Sequence, residues 1–115
     1  MLFTINGKEQ ELKFNIGFIR ALNKVYTADM NGISFGMGLN MANVQLQQYD
    51  PSGLTEVIRA ALKGKFKLET IDEAVELYAE ENDGLGGLFE AIIEEMGKSV
   101  VVKDTMKRTE KLGSQ

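Results

Sequence analysis

Leu2-Phe3-Thr4-Ile5-Asn6-Gly7-Lys8-Glu9-Gln10-Glu11-Leu12-Lys13-Phe14 decides how this chain begins. Two short runs flank an Asn-Gly pair. Asn and Gly best tolerate the positive φ angles that a two-residue hairpin turn demands. The pattern predicts strands over residues 2–6 and 9–14. Phe3 and Ile5 share one face of the first strand, and Leu12 and Phe14 share one face of the second. An isolated two-stranded hairpin is marginal in water, so its apolar face must pack on helices. The period then changes at once. Phe18, Ile19, Leu22, Val25 and Tyr26 recur at helical spacing behind Asn15, whose side chain suits a helix N-cap. A first helix is expected over 16–29, closed by Asn31-Gly32.

Four further helices are expected on the same reasoning. One over 36–49 carries an apolar stripe of Met37, Met41 and Val44, flanked by Leu39 and Leu46. Asp50-Pro51 caps and opens the next, with Leu54, Val57, Ile58, Ala61 and Leu62 inward and Lys63-Gly64-Lys65 as its close. Thr70 and Glu73 match a capping box and open a helix over 71–81 that buries Ile71, Ala74, Val75 and Tyr78. Asn82-Asp83-Gly84 ends it. The last begins near Leu85 and carries Leu88, Phe89, Ile92, Ile93 and Met96. Whether it runs on through Val100-Val101-Val102 or breaks at Gly97 is left open by a β-branched triplet. The expected fold is therefore mainly α: a compact bundle of about five helices with an N-terminal two-stranded β-hairpin. It forms a single domain over 1–108, with a disordered tail over 109–115.

Composition narrows the chemistry. The chain has no Cys and no His, so it cannot build a disulfide, a thiolate zinc site or a Ser-His-Asp arrangement from its own residues. No enzymatic activity and no cofactor are expected. No apolar run is long enough to span a bilayer, and none resembles a secretory leader, so a cytosolic protein without membrane contact is expected. The net charge of −4 is segregated. Ten Asp or Glu and no Lys or Arg fall between Glu69 and Glu95, whereas Lys98, Lys103, Lys107, Arg108 and Lys111 dominate the C-terminal end. That basic end is the only cationic cluster visible in the sequence. With a pI near 4.9, it argues against a nucleic-acid partner.

Candidate sites are few. The turn around Asp83-Gly84 resembles a calcium loop with Glu90 in the final position, but Ala79 stands where the first carboxylate belongs. Gly36-Met37-Gly38 lacks the third glycine and the βαβ setting of a dinucleotide fingerprint, which leaves close helix packing as its use. No pairing of acids such as Glu73/Glu76 shows the burial that acid-base work requires. Partner binding is the remaining possibility. A stripe such as Met37 and Met41 commonly belongs to a core. Read as pliable side chains, the same two residues with Phe35 are candidates for a docking groove. In the acidic block, Glu73, Glu76 and Glu80 are the candidates for attracting a basic partner.

The ordered string of Ile5-Asn6-Gly7-Lys8, Leu12-Lys13-Phe14, Ile16 to Lys24, Tyr26 and Gly32 to Leu39 resembles the tail assembly chaperones of long-tailed phages. The likeness is to those of phages and prophages of Gram-positive bacteria. It covers roughly the first half of the chain and departs at Gln10, where such sequences often carry an aromatic. The resemblance implies a protein that binds the tape measure protein, keeps it soluble and promotes polymerisation of the tail tube around it. It also implies residence in the bacterial cytoplasm and absence from the finished virion. Further implied partners are the major tail protein, a frameshifted longer form of the same chain, and other copies of itself. Two alternatives are a structural tail or connector subunit and a small acidic inhibitor protein.

Overall fold

The computed structural model describes residues 1–30 and 33–113, with side chains described outside 28–36 and 109–113. Its elements in order are β1 (Leu2–Ile5), β2 (Lys8–Glu11), α1 (Ile16–Val25), β3 (Thr27–Met30), β4 (Ile33–Gly36), α2 (Gly38–Gln47), α3 (Pro51–Ala61), α4 (Leu68–Asn82), α5 (Gly86–Lys98) and α6 (Val100–Gly113). The mainly helical fold with an N-terminal hairpin stands, with six helices among the described residues in place of about five. Ile5 pairs with Lys8 in β1–β2, and Asn6 and Gly7 take φ of 52° and 76°, as a tight two-residue turn requires. Phe3, Ile5 and Leu12 are buried. The Lys13 N–H donates to the Ala61 carbonyl at 3.1 Å and ties the hairpin's exit to the end of α3.

The first helix is shorter than expected. Asn15 caps it through its side chain, which accepts from the Phe18 N–H at 3.1 Å. It stops at Val25 rather than near residue 29. Tyr26 turns extended at φ −113° and ψ 111°, and residues 27–30 and 33–36 pair as antiparallel strands, β3 and β4, in place of helix. Three of the last residues before and within β3, Val25, Tyr26 and Thr27, are β-branched or aromatic and favour extended backbone. The Met37 N–H then donates to the Tyr26 carbonyl at 2.9 Å, so the chain returns beside its departure point before α2 begins. The expected helix end at Asn31-Gly32 lies outside the described residues.

The rotation of α2 also differs. Leu39, Ala42 and Leu46 are buried, whereas Met41 and Val44 are 40% and 47% exposed. The cause is Gly38. A Cβ there would lie 2.4 Å from the Leu22 carbonyl carbon and 2.5 Å from the Asn23 nitrogen. Its N–H donates to Asn23 Oδ1 at 2.9 Å. This contact turns the Gly38 side of α2 onto α1 and leaves the methionine stripe beside it facing outward.

α3 matches expectation. The Asp50 carboxylate accepts from the Ser52 N–H, Pro51 opens the helix, and Lys63 and Gly64 close it with left-handed φ of 57° and 69°. α4 begins earlier than the Thr70/Glu73 capping box predicts. Lys67 is its N-cap without a side-chain bond, and the Thr70 and Ile71 amides donate to the Lys67 carbonyl. Half-buried Phe66, packed against the core just before it, anchors this earlier start. Asp83 ends the helix at φ 54°. α5 buries Leu88, Phe89, Ile92 and Met96. The open question after Lys98 resolves as a break at Ser99, whose Oγ accepts from the Val102 N–H at 3.3 Å. α6 starts afresh with Val102 fully buried and packs against α2 and α5. Its backbone is helical to Gly113. Among the described residues, no helix is long and apolar enough to cross a membrane.

Two substitutions probe the α1–α2 contact. Leu22→Ala, at a fully buried site, should cost roughly 2–5 kcal/mol in denaturant unfolding. Gly38→Ala should also destabilise, by about 1–3 kcal/mol as an overpacked site. It should do so although alanine favours an unconstrained helix by about 1 kcal/mol. Stabilisation by Gly38→Ala would show that the two helix backbones are not in close contact.

Candidate functional site

The end of α1 is the starting point of the site. Tyr26 leaves the helix with its ring half-buried, and its hydroxyl donates to Gln45 Oε1 at 2.6 Å. Gln45 is held in turn by Gly53 of α3, where a Cβ would lie 2.4 Å from the Gln45 Cβ. Glycine at 53 therefore lets α3 close over the glutamine that positions the tyrosine. Burial raises the Tyr26 pKa above its ordinary value of 10.0, and the charges of Glu56 and then Asp50 push it the same way. The phenol, a donor at neutral pH in any case, therefore keeps its proton to higher pH than a free tyrosine.

Around Tyr26 lies a groove of about 450 Å³ between α3 and α4. Val25, Pro51, Leu68, Val75, Ala79 and Leu85 supply its apolar surface, and Glu56, Asp72 and Glu76 supply carboxylates. The Glu56 side chain is only 17% exposed. Its Oε2 accepts no hydrogen bond from the described residues, and its nearest cation among them, Arg59, is 3.9 Å away. An apolar floor with a carboxylate rim suits an amphipathic polypeptide segment carrying basic side chains.

Of the residues expected to bind a partner, Glu76 alone lines this groove. Glu73 and Glu80 are exposed on α4 but stand outside it. Met37 is half-buried at the N-cap of α2, and Met41 is exposed on the same helix. Neither joins the groove, and Met41 is not the core residue its spacing suggested. The side chain of Phe35 lies outside the described residues.

The basic end is not the only cationic cluster, contrary to expectation. Arg20 and Lys24 on α1 and Arg59 and Lys63 at the end of α3 line a second groove of about 390 Å³. Each pair has helical i,i+4 spacing, which is the signal the sequence carried; their meeting across two helices left none. Some charges in the basic end are matched locally. Lys98 pairs with Glu94 and Glu95 at 3.6 and 3.5 Å, and Arg108 with Asp104 at 3.1 Å. At the loop resembling a calcium site, Asp83 serves as the left-handed cap of α4, and the Gly84 N–H donates to the Ala79 carbonyl at 2.9 Å.

The family model described as phage tail assembly chaperone protein, TAC, matches residues 2–111. The chain belongs to that family. No curated protein and no solved structure matches the chain.

The tyrosine at the centre of the groove has a pH signature. Its folded pKa is raised, so its contribution to stability is present below 10.0 and is lost as pH rises through the folded value. Tyrosinate absorbance should show an ionisation above the ordinary range that Tyr26→Phe removes. A titration left unchanged by Tyr26→Phe in that range would place Tyr26 in open solvent.

Proposed function

We propose that this tail assembly chaperone acts on the tape measure protein. In this reading it keeps that protein's long apolar helical segments soluble in the host cytoplasm, promotes polymerisation of the tail tube around them, and is left out of the finished virion. Family membership supports the general role, and the groove around Tyr26 is the observation that carries the particular one. A tape measure helix awaiting its tube exposes an apolar face, and a shallow apolar groove can cover part of it without demanding one sequence.

The carboxylates of Glu56, Asp72 and Glu76 complement basic side chains flanking such a face. Glu73 and Glu80 extend the same negative field along α4, and Met37 and Met41 belong to a separate surface for secondary contacts. Contacts with the major tail protein, with a frameshifted longer form and between copies are part of the same proposal. No catalytic step or cofactor is needed for any of these roles.

Co-expression with the tape measure protein should raise its soluble yield, and mass spectrometry of purified virions should find the tape measure without this chain. Charge reversal at Glu73, Glu76 and Glu80 should lower the soluble yield more than reversal at Lys103, Lys107 and Lys111. Glu76→Lys alone should account for most of that loss. A tape measure equally insoluble with and without the protein would end this reading. Recovery of the chain from intact virions would favour a structural tail subunit.

A further inference from the structure

The groove around Tyr26 does not end at Glu56. Val25 and Glu56 also line the cationic groove, which continues between α1 and α3 as far as Gly17 and Gly64. Together the two grooves track α3 from Pro51 to beyond its C-terminus. The eleven residues of α3 correspond to about 16 Å, enough for about three turns of a bound helix.

The signs of charge are opposite in the two halves. One carries Glu56, Asp72 and Glu76, and the other carries Arg20, Lys24, Arg59 and Lys63, with Glu56 at the boundary. Within the cationic half, Arg20 and Lys24 repeat at i,i+4 on α1, an arrangement that weakens that helix slightly, and Arg59 and Lys63 add two more cations at the close of α3. Arg20, Lys24 and Lys63 make no ion pair among the described residues, although the chain has 17 Asp and Glu against 13 Lys and Arg. An anionic occupant would offset that repulsion. A nucleic-acid strand laid along this path would drive its phosphates onto Glu56, Asp72 and Glu76. A polypeptide whose charge changes sign along its length meets both halves favourably.

We propose that the α1–α3 groove is a second docking site, for the acidic stretch of a client polypeptide whose apolar, basic stretch occupies the groove around Tyr26. The protein then selects segments in which a basic and an acidic stretch are adjacent. This rests on the reading that the groove around Tyr26 holds a client segment.

The full chain can be titrated with three fluorescent amphipathic peptides sharing one apolar face. In the first, Lys occupies one half and Glu the other; in the second, the same residues alternate; in the third, all charged positions are Lys. The segregated peptide should bind at least tenfold tighter than the alternating one, and the advantage should shrink with added salt. Arg20→Ala with Lys24→Ala, both at exposed helix positions, should abolish the advantage, with an unchanged melting curve to certify folding. Equal affinity for all three peptides would overturn this proposal and leave the client groove standing. Failure of every peptide to bind would remove both. A single-stranded oligonucleotide that displaces the segregated peptide and depends on Arg20 and Lys24 would reassign the cationic half to nucleic acid.

Discussion

The contact of Gly38 with the backbone of α1 is the constraint on which the arrangement of the first three helices depends. With a would-be Cβ 2.4 Å from the Leu22 carbonyl carbon, only glycine lets α2 settle at this distance. The Asn23 side chain satisfies one of the free amides at the start of α2. Once that end is pinned, the rotation of the helix is set. Leu39, Ala42 and Leu46 go inward, and Gln45 comes under Gly53 within reach of Tyr26. The second hairpin serves the same contact, because it carries the chain out of α1 and back to Tyr26 before α2 starts.

The surface is a consequence of this packing. α3 is clasped by α1 on one side and α4 on the other, and the two shallow grooves lie along those seams. Their floors are apolar because the helices' buried stripes rise to the surface there. Their rims are charged because long side chains flank any amphipathic stripe. A broad, shallow, charged seam is a poor catalytic pocket and a reasonable surface for a helical client. It covers area without demanding a single deep anchor, which fits an assembly chaperone.

Features set by local chemistry were readable from the chain alone. The Asn6-Gly7 turn, the Asn15 and Asp50 caps, the left-handed closures at Lys63-Gly64 and Asp83, and the apolar faces of α3 and α5 each depend on residues within a few positions of one another. The strands β3 and β4 carried only a weak local signal, because the apolar spacing of α1 runs on into Val25 and Tyr26 and favoured a longer helix. The family was legible too, since the ordered string through residue 39 lies within the matched span.

What the sequence could not decide was which of two equally periodic stripes on α2 faces the core. Met37, Met41 and Val44 have the same helical spacing as Leu39, Ala42 and Leu46, and periodicity is blind to rotation. The choice is made by a backbone contact with a helix fifteen residues away, which exists only after both helices have folded. The grooves belong to the same class. Arg20 and Lys24 are separated in sequence from Arg59 and Lys63, and Tyr26 from Glu56 and Glu76. Only packing brings them to one seam. Local sequence determined the first hairpin, the Asn15 and Asp50 caps, the apolar faces of α3 and α5 and the absence of thiol and imidazole chemistry. Tertiary structure decided which faces are covered and which charges meet, because burial and electrostatic fields are properties of neighbours in space.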